Sequence, residues 1–321
     1  MAKRILIVGL NWIGDAIMSL PALQACRAEH PDAHIAVLVK PYLKPLWEMH
    51  AVPDQILTRD KMGPTVAEVK KYGFDTAYIL PNSFRSALIP TLAGIPTRIG
   101  LKGDHRLWML TKVIPLAGGH QSNEYYPIVA PGAGDRVNEL PALEIPSSAF
   151  QTLETKFPAR GNYVVLMPGA ARGASKMWPL DHFGKLARML LDETELNLVF
   201  AGGGGDAAAC EDLVSTLGER ATSVAGKTSL PEWAALLKKA RLAVANDSGG
   251  MHLAGAVGTP VVGIYGITDP NKTGPLAHRF KVVQNSTMKS RDISRHSERA
   301  AEALASISPE QVFGAATELL S

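Results

Sequence analysis

The chain has 321 residues, of which 46% are hydrophobic, 20% charged and 6% aromatic. That length suits two domains with separate cores, and the composition excludes collagen, coiled coil and intrinsic disorder. Thirty-three Lys and Arg against 30 Asp and Glu leave a net charge of only +3, too mild for a protein that wraps nucleic acid. Cys26 and Cys210 lie far apart with no CxxC spacing, so neither a disulfide framework nor a zinc ribbon is expected.

The start, Met-Ala-Lys-Arg followed by ILIVGL, has the charge of a signal peptide. Asn11 and Asp15 interrupt its apolar run too early, so none is expected. No later segment offers about 18 uninterrupted apolar residues, so no membrane span is expected either. In chain order, 4–10 reads as a buried strand, 19–30 as a helix, 34–40 as a strand, 41–50 as helix-like and 76–81 as a strand. Apolar strands separated by helices imply a parallel sheet covered on both faces.

Around 131–162 the rhythm lapses into Pro- and Gly-rich sequence, read as the interdomain connection. It resumes with strand 163–167, helix 181–193, strand 197–202 and a helix over 206–218. Helix 231–240, strand 241–246 and strand 259–266 follow. Ser229-Leu-Pro-Glu232 has capping-box spacing, and Ser308-Pro309-Glu310-Gln311 opens a final helix with Ile307 and Val312 placed as a staple. Residues 285–306 read as a polar surface segment. The expected division is 1–160, 161–306 and a last helix over 307–321.

In open α/β sheets ligands bind beyond the carboxyl ends of strands. After the first strand, Gly9 and Gly14 have the spacing of a phosphate loop, but Asp15 stands where its lysine belongs. A carboxylate there repels phosphate. It either accepts a proton from a hydroxyl or caps the next helix. The loop 167–183 carries Lys176, either a point charge for a diphosphate or a solvated lysine. In 243–260, Asp247 or Ser248 caps a helix with His252 in its first turn, a ready anion site. His252 itself reads equally as a buried structural histidine. The four glycines 202–205 bring backbone close to something flat or bulky, and Asp206 either receives ribose hydroxyls or caps a helix. There is no Asp-x-Asp, no HExxH and no His/Cys cluster, so no metal site and no cofactor are expected.

Five blocks, IGDAIMSLPAL (13–23), YILPNSFRSALIPTLAGIPTRIGLKGDHR (78–106), PGAARGASKMWP (168–179), NDSGGMHLAGAVGTP (246–260) and YGITDPNKTGPL (265–276), carry a resemblance that spans both halves. The sequence resembles the ADP-heptose:lipopolysaccharide heptosyltransferases, with block 81–90 closest to the heptosyltransferase II branch. The resemblance implies a GT-B architecture, two Rossmann-like domains facing across a cleft: an acceptor-binding N-terminal one and an ADP-sugar-binding C-terminal one, with the last helix packing back on the N-terminal domain. It implies inverting, metal-independent transfer of L-glycero-D-manno-heptose from ADP-heptose to the first heptose of the inner core, on Kdo and lipid A. Asp15 matches the general base and Lys176 the diphosphate lysine. Lys176, Asp206, Asp247, Ser248, Gly249, Gly250, Met251 and His252 match donor positions. Gly250 departs from the usual Leu, and Ala171-Arg172 from an acidic and an aromatic residue.

Between 85 and 112 stand Arg85, Arg98, Lys102, Arg106 and Lys112 against one acid, Asp104. They form either a solvated face or a patch for the anionic acceptor and inner leaflet. With Asn82 and Ser83, the first four of those cations are the expected acceptor residues. The partners expected are donor, acceptor and the cytoplasmic face of the inner membrane, touched peripherally from the cytoplasm, and no nucleic acid. Readings left open are a heptosyltransferase with another acceptor, a nucleotide-dependent oxidoreductase and a non-catalytic nucleotide-sugar binding protein.

Overall fold

Each half of the chain builds a six-stranded parallel sheet, and both sheets use the same strand order. The structure is a computed structural model that describes residues 3–103, 105–116, 118–133, 139–157, 161–170, 176–288 and 298–321. It divides into two units, Met1–Glu144 and Ile145–Ser321.

The first unit runs β1 (Arg4–Val8), α1 (Ile13–Glu29), β2 (His34–Val39), α2 (Lys44–Glu48), β3 (Gln55–Thr58), α3 (Met62–Lys71), β4 (Thr76–Ile79), α4 (Phe84–Leu92), β5 (Thr97–Leu101), β6 (Lys112–Ile114) and α5 (Tyr126–Val129). The sheet order is β3-β2-β1-β4-β5-β6 with every pairing parallel. Ile5, Leu6, Ile7 and Val8 are all buried, as a strand covered on both faces requires. α1 begins at Ile13, six residues earlier than expected, which brings Asp15 into its first turn, where the helix dipole favours a carboxylate.

The second unit runs α6 (Ser147–Lys156), β7 (Tyr163–Met167), α7 (Leu180–Glu193), β8 (Asn197–Phe200), α8 (Ala207–Ser215), β9 (Ala221–Ser223), α9 (Leu230–Lys239), β10 (Leu242–Asn246), α10 (Gly249–Ala256), β11 (Val261–Ile264), α11 (Pro270–Thr273), β12 (Phe280–Val283), α12 (Glu298–Ala305) and α13 (Pro309–Leu320). Its order, β9-β8-β7-β10-β11-β12, repeats the first sheet element for element. In each sheet the strand order reverses at one place, between β1 and β4 and between β7 and β10. Ligands of doubly wound folds bind outside the strand ends at such a reversal.

Several expectations change. The division falls at Glu144/Ile145 instead of 160/161. The segment read as a connection contains α6, which packs on α9, buries Ala149 and Leu153, and pairs Lys156 Nζ with Glu232 Oε1 at 2.9 Å. The last helix contributes Val312, Ala316 and Leu319 to the second unit's core, alongside Leu166, Phe183 and Val262. Burial of this kind is worth about 1.5–3 kcal/mol per large side chain. Finally, the stretch 285–306 includes the helix α12, whose Ala300, Ala303 and Leu304 are buried; its part 289–297 lies outside the described residues. Both expected capping boxes form. Ser229 N donates to Glu232 Oε2 at 2.7 Å, and Ser308 N donates to Gln311 Oε1 at 2.9 Å.

Candidate functional site

Each strand-order reversal carries a polar cluster, and each is described within its own unit.

In the first unit the loop after β1 leads into α1, whose N-cap is Trp12, so Asp15 does not cap the helix. Its carboxylate, half-buried, accepts a hydrogen bond from Gln121 Nε2 at 3.3 Å. The same Gln121 amide donates to Tyr125 Oη at 2.8 Å. Tyr125 is buried, and desolvation first, then the Asp15 charge, push its pKa far above the ordinary tyrosine value, so it stays protonated. The neighbouring loops are tied to Asn11. Arg59 Nη2 donates to Asn11 Oδ1 at 2.5 Å, and the Tyr42 hydroxyl donates to the Asn11 carbonyl. Burial first and the charge of Arg85 second lower the pKa of Arg59 from its usual value.

Arg59, Tyr42, Gln121 and Tyr125 escaped sequence reasoning. Arg59 follows β3, whose four residues QILT are too short and too exposed to announce a strand. Gln121 sits in a polar stretch with no periodicity.

The expected acceptor residues separate into two kinds. Asn82, Arg85 and Lys102 are exposed, and Ser83 is half-buried as the N-cap of α4. Arg106 is a correction. It is 0% exposed, and its guanidinium donates to the carbonyls of Pro81 and Leu101, the latter at 2.6 Å from Nη2. A buried cation that finds such acceptors is a structural clamp, here holding the loop after β4. Arg98 is a second correction, since its Nε donates to Met109 O at 2.6 Å and its Nη1 to Ile95 O. Asp104 lies outside the described residues.

In the second unit Lys176 and Asp247 meet. Lys176 Nζ lies 2.5 Å from Asp247 Oδ2, with side chains 15% and 8% exposed. One residue comes from the loop after β7 and the other from the loop after β10, so the pair bridges the two strands at the reversal. Asn246, fully buried, fixes the same loops from beneath: its Nδ2 donates to Pro168 O at 2.7 Å, and its Oδ1 accepts from Trp178 N at 3.0 Å. Asp247 therefore does not cap the helix. The N-cap of α10 is Ser248, which makes no side-chain cap bond. The amides of Gly249, Gly250 and Met251 form the first turn, the positive end of the helix.

Other donor candidates are reassigned. Met251 is fully buried, with Sδ 3.4 Å from Tyr265 Oη, so its side chain belongs to the core. His252 is also buried. Asp206 accepts from Gly203 N at 2.8 Å, and a Cβ at Gly169 or Gly202 would fall 2.2 Å or 2.5 Å from its carboxylate. Gly169 and Gly202 thus leave room for the Asp206 carboxylate, which closes the turn at Gly203. Gly250 has a similar explanation: a Cβ there would meet Met167 Sδ at 2.7 Å and Trp233 Cζ2 at 2.8 Å. The indole fills the space that a larger residue at 250 would take. Positions 171 and 172 lie outside the described residues. Among the described residues no helix is long and apolar enough to cross a membrane.

Comparison with known proteins finds relatives along nearly the whole chain. The chain is 30% identical over 314 residues to lipopolysaccharide heptosyltransferase 2 of Escherichia coli, covering 88% of each chain. It is equally 30% identical to lipooligosaccharide heptosyltransferase 2 of Haemophilus influenzae, again with 88% of each covered. The solved structure of the E. coli ADP-heptose lipopolysaccharide heptosyltransferase II superposes with a TM-score of 0.84 at 27% identity, covering 99% of this chain and 98% of that one. The Veillonella parvula family 9 glycosyltransferase shares the fold at a TM-score of 0.86 and 24% identity, covering 99% and 97%. The two Rossmann-like units are thus of the GT-B class. The sequence profile of glycosyltransferase family 9 (heptosyltransferase) matches residues 65–301. The chain belongs to that family of glycosyltransferases.

Proposed function

We propose that this enzyme transfers L-glycero-D-manno-heptose from ADP-heptose to the first heptose of the lipopolysaccharide inner core, with inversion and without a metal ion. The observation that carries the donor half is the Lys176–Asp247 pair at the amino end of α10. An ammonium has three donors. One is taken by Asp247, which orients the group, and two remain for the leaving diphosphate beside the α10 amides. The names of the relatives supply the sugar and the nucleotide, since the E. coli protein is an ADP-heptose heptosyltransferase and a solved heptosyltransferase of the same fold holds ADP.

The acceptor half rests on Asp15. An acceptor hydroxyl is too weak an acid to attack unaided, and its proton passes to the Asp15 carboxylate as its oxygen bonds to the anomeric carbon. The bond from that carbon to the diphosphate oxygen breaks with its electron pair, and ADP departs toward Lys176. A single displacement inverts the anomeric configuration. Gln121 orients the carboxylate, and Arg59 and Arg85 offer charge to an anionic acceptor. A Kdo- and lipid-bearing acceptor also brings the enzyme to the cytoplasmic face of the inner membrane.

The test is transfer from ADP-heptose to lipopolysaccharide truncated after one heptose, read by mass. The expected product is heavier by one heptose residue. A product formed only on acceptor lacking that heptose assigns a different acceptor, and no product with either acceptor overturns the reading.

A further inference from the structure

Ten large hydrophobic residues are exposed among the described ones, and six of them, Phe84, Leu92, Leu107, Trp108, Val113 and Leu116, fall within 84–116. Such residues scattered singly need no explanation, but these gather. The rings of Phe84 and Trp108 are in contact, 6.3 Å between centroids, while remaining 41% and 68% exposed. Leu107 stands beside them in the same short turn. Between Asp75 and Glu124 the sequence has one acidic residue, Asp104. With Arg98 and Arg106 turned onto backbone carbonyls, the cations left on the surface of this segment are Arg85, Lys102 and Lys112.

We infer that the edge formed by Phe84, Leu107 and Trp108, with Arg85, Lys102 and Lys112 on the same segments, docks the protein on an anionic phospholipid surface. Aromatic side chains are suited to the boundary between headgroup and acyl chain, and clustered cations are attracted by acidic headgroups. Either signal alone binds marginally; together they hold a peripheral protein reversibly. A second copy of this chain fits less well, because a two-fold contact would set the same cations against one another. The edge is also continuous with the Asp15 site: Arg85 follows Phe84 directly, and its charge acts on Arg59, which is bonded to Asn11 four residues before Asp15. The inference rests on the proposed reading in that a lipid-anchored acceptor gives the docking its use.

The test uses the full chain with vesicles of phosphatidylglycerol and phosphatidylethanolamine, and with phosphatidylcholine vesicles as the neutral counterpart. The expected result is co-flotation with the anionic vesicles only, weakened by salt. Phe84→Ser with Trp108→Ser lowers partitioning about tenfold or more, and Lys112→Glu lowers it roughly fivefold or more. Brominated lipid quenches fluorescence of the parent protein and much less of Trp108→Phe. Circular dichroism and thermal melting verify that each variant is folded. Equal binding to both vesicle types, binding that the double variant leaves unmoved, or a lipid-free dimer lost in that variant overturns the docking surface. Transfer to an acceptor oligosaccharide freed of lipid stays unchanged in the double variant, whereas transfer to vesicle-borne acceptor falls. Absence of transfer by the parent protein to either acceptor counts against the function alone, because vesicle binding is read without turnover.

Discussion

The two units repeat one strand order and place a polar cluster at the same reversal, yet the clusters are built on opposite plans. In the second unit the charged groups are already paired: Lys176 on Asp247, beside an amide-rich helix start. In the first unit a carboxylate is held by a neutral amide, and Arg59 is bonded to another loop residue, Asn11. Both reversal loops are also anchored from below by a buried polar side chain, Asn246 in one and Arg106 in the other. The scaffold thus fixes where ligands meet the sheet, and the loops decide what happens there. In the proposed function the second cluster holds the diphosphate and the first accepts the proton.

The sharpest way to break that division is Asp15→Asn. The amide keeps the size and the hydrogen-bonding reach but does not accept the hydroxyl proton, so kcat is expected to fall by about 10²–10⁴. ADP affinity, set in the other unit, should hold within about twofold by titration calorimetry. A variant that loses ADP binding along with turnover would erase the distinction between the two clusters.

The anchors are next in size. Arg106→Met removes the donors from the carbonyls of Pro81 and Leu101 and leaves them buried. The expected cost is on the order of 2–4 kcal/mol in urea unfolding. Lys102→Glu changes the exposed surface instead and should leave the unfolding midpoint nearly in place. Equal destabilisation by the two would return Arg106 to the surface patch.

That contrast also marks how far the sequence could be read. The apolar strands β1, β2, β4, β7, β10 and β11 announce themselves because both faces are buried, and the motifs around Asp15, Lys176 and Asp247 single out the loops that matter. The strands β3, β6, β9 and β12 are hidden because they lie at or near sheet edges, three or four residues long and partly exposed. Arg98 and Arg106 look like surface charge for a different reason: no local pattern says that a cation turns inward onto backbone carbonyls. Met251 and Asp206 sit just after the right strands, but whether a side chain faces a ligand or the protein's own interior depends on the packing of Tyr265 and of Gly169 and Gly202.

The donor cluster is tested by Lys176→Met. Removing a charge-assisted contact to a diphosphate costs about 1.5–3 kcal/mol, so ADP affinity should weaken roughly 10- to 150-fold. Asp247→Asn keeps the lysine but loosens its placement, and a smaller loss is expected. Tighter ADP binding in Asp247→Asn would mean that the carboxylate competes with the diphosphate rather than orienting the lysine.

The smallest effect separates the units by acid sensitivity. His50, at the end of α2, lies beneath the segment that closes the first unit: Gln24 faces its ring at 3.4 Å and also accepts from Ala142 N at 2.9 Å. Burial holds the imidazole down to about 4, from an ordinary 6.5. The unfolded chain therefore binds a proton between pH 6.5 and 4 that the folded unit refuses, and stability falls as pH drops through that window. From pH 7 to pH 5 the loss is about 2 kcal/mol. His50→Gln, which has no proton to take up, should flatten the unfolding free energy of the first unit over that range. A pH profile unchanged by this substitution would show that the acid lability, if present, comes from groups other than the one buried beside Trp47.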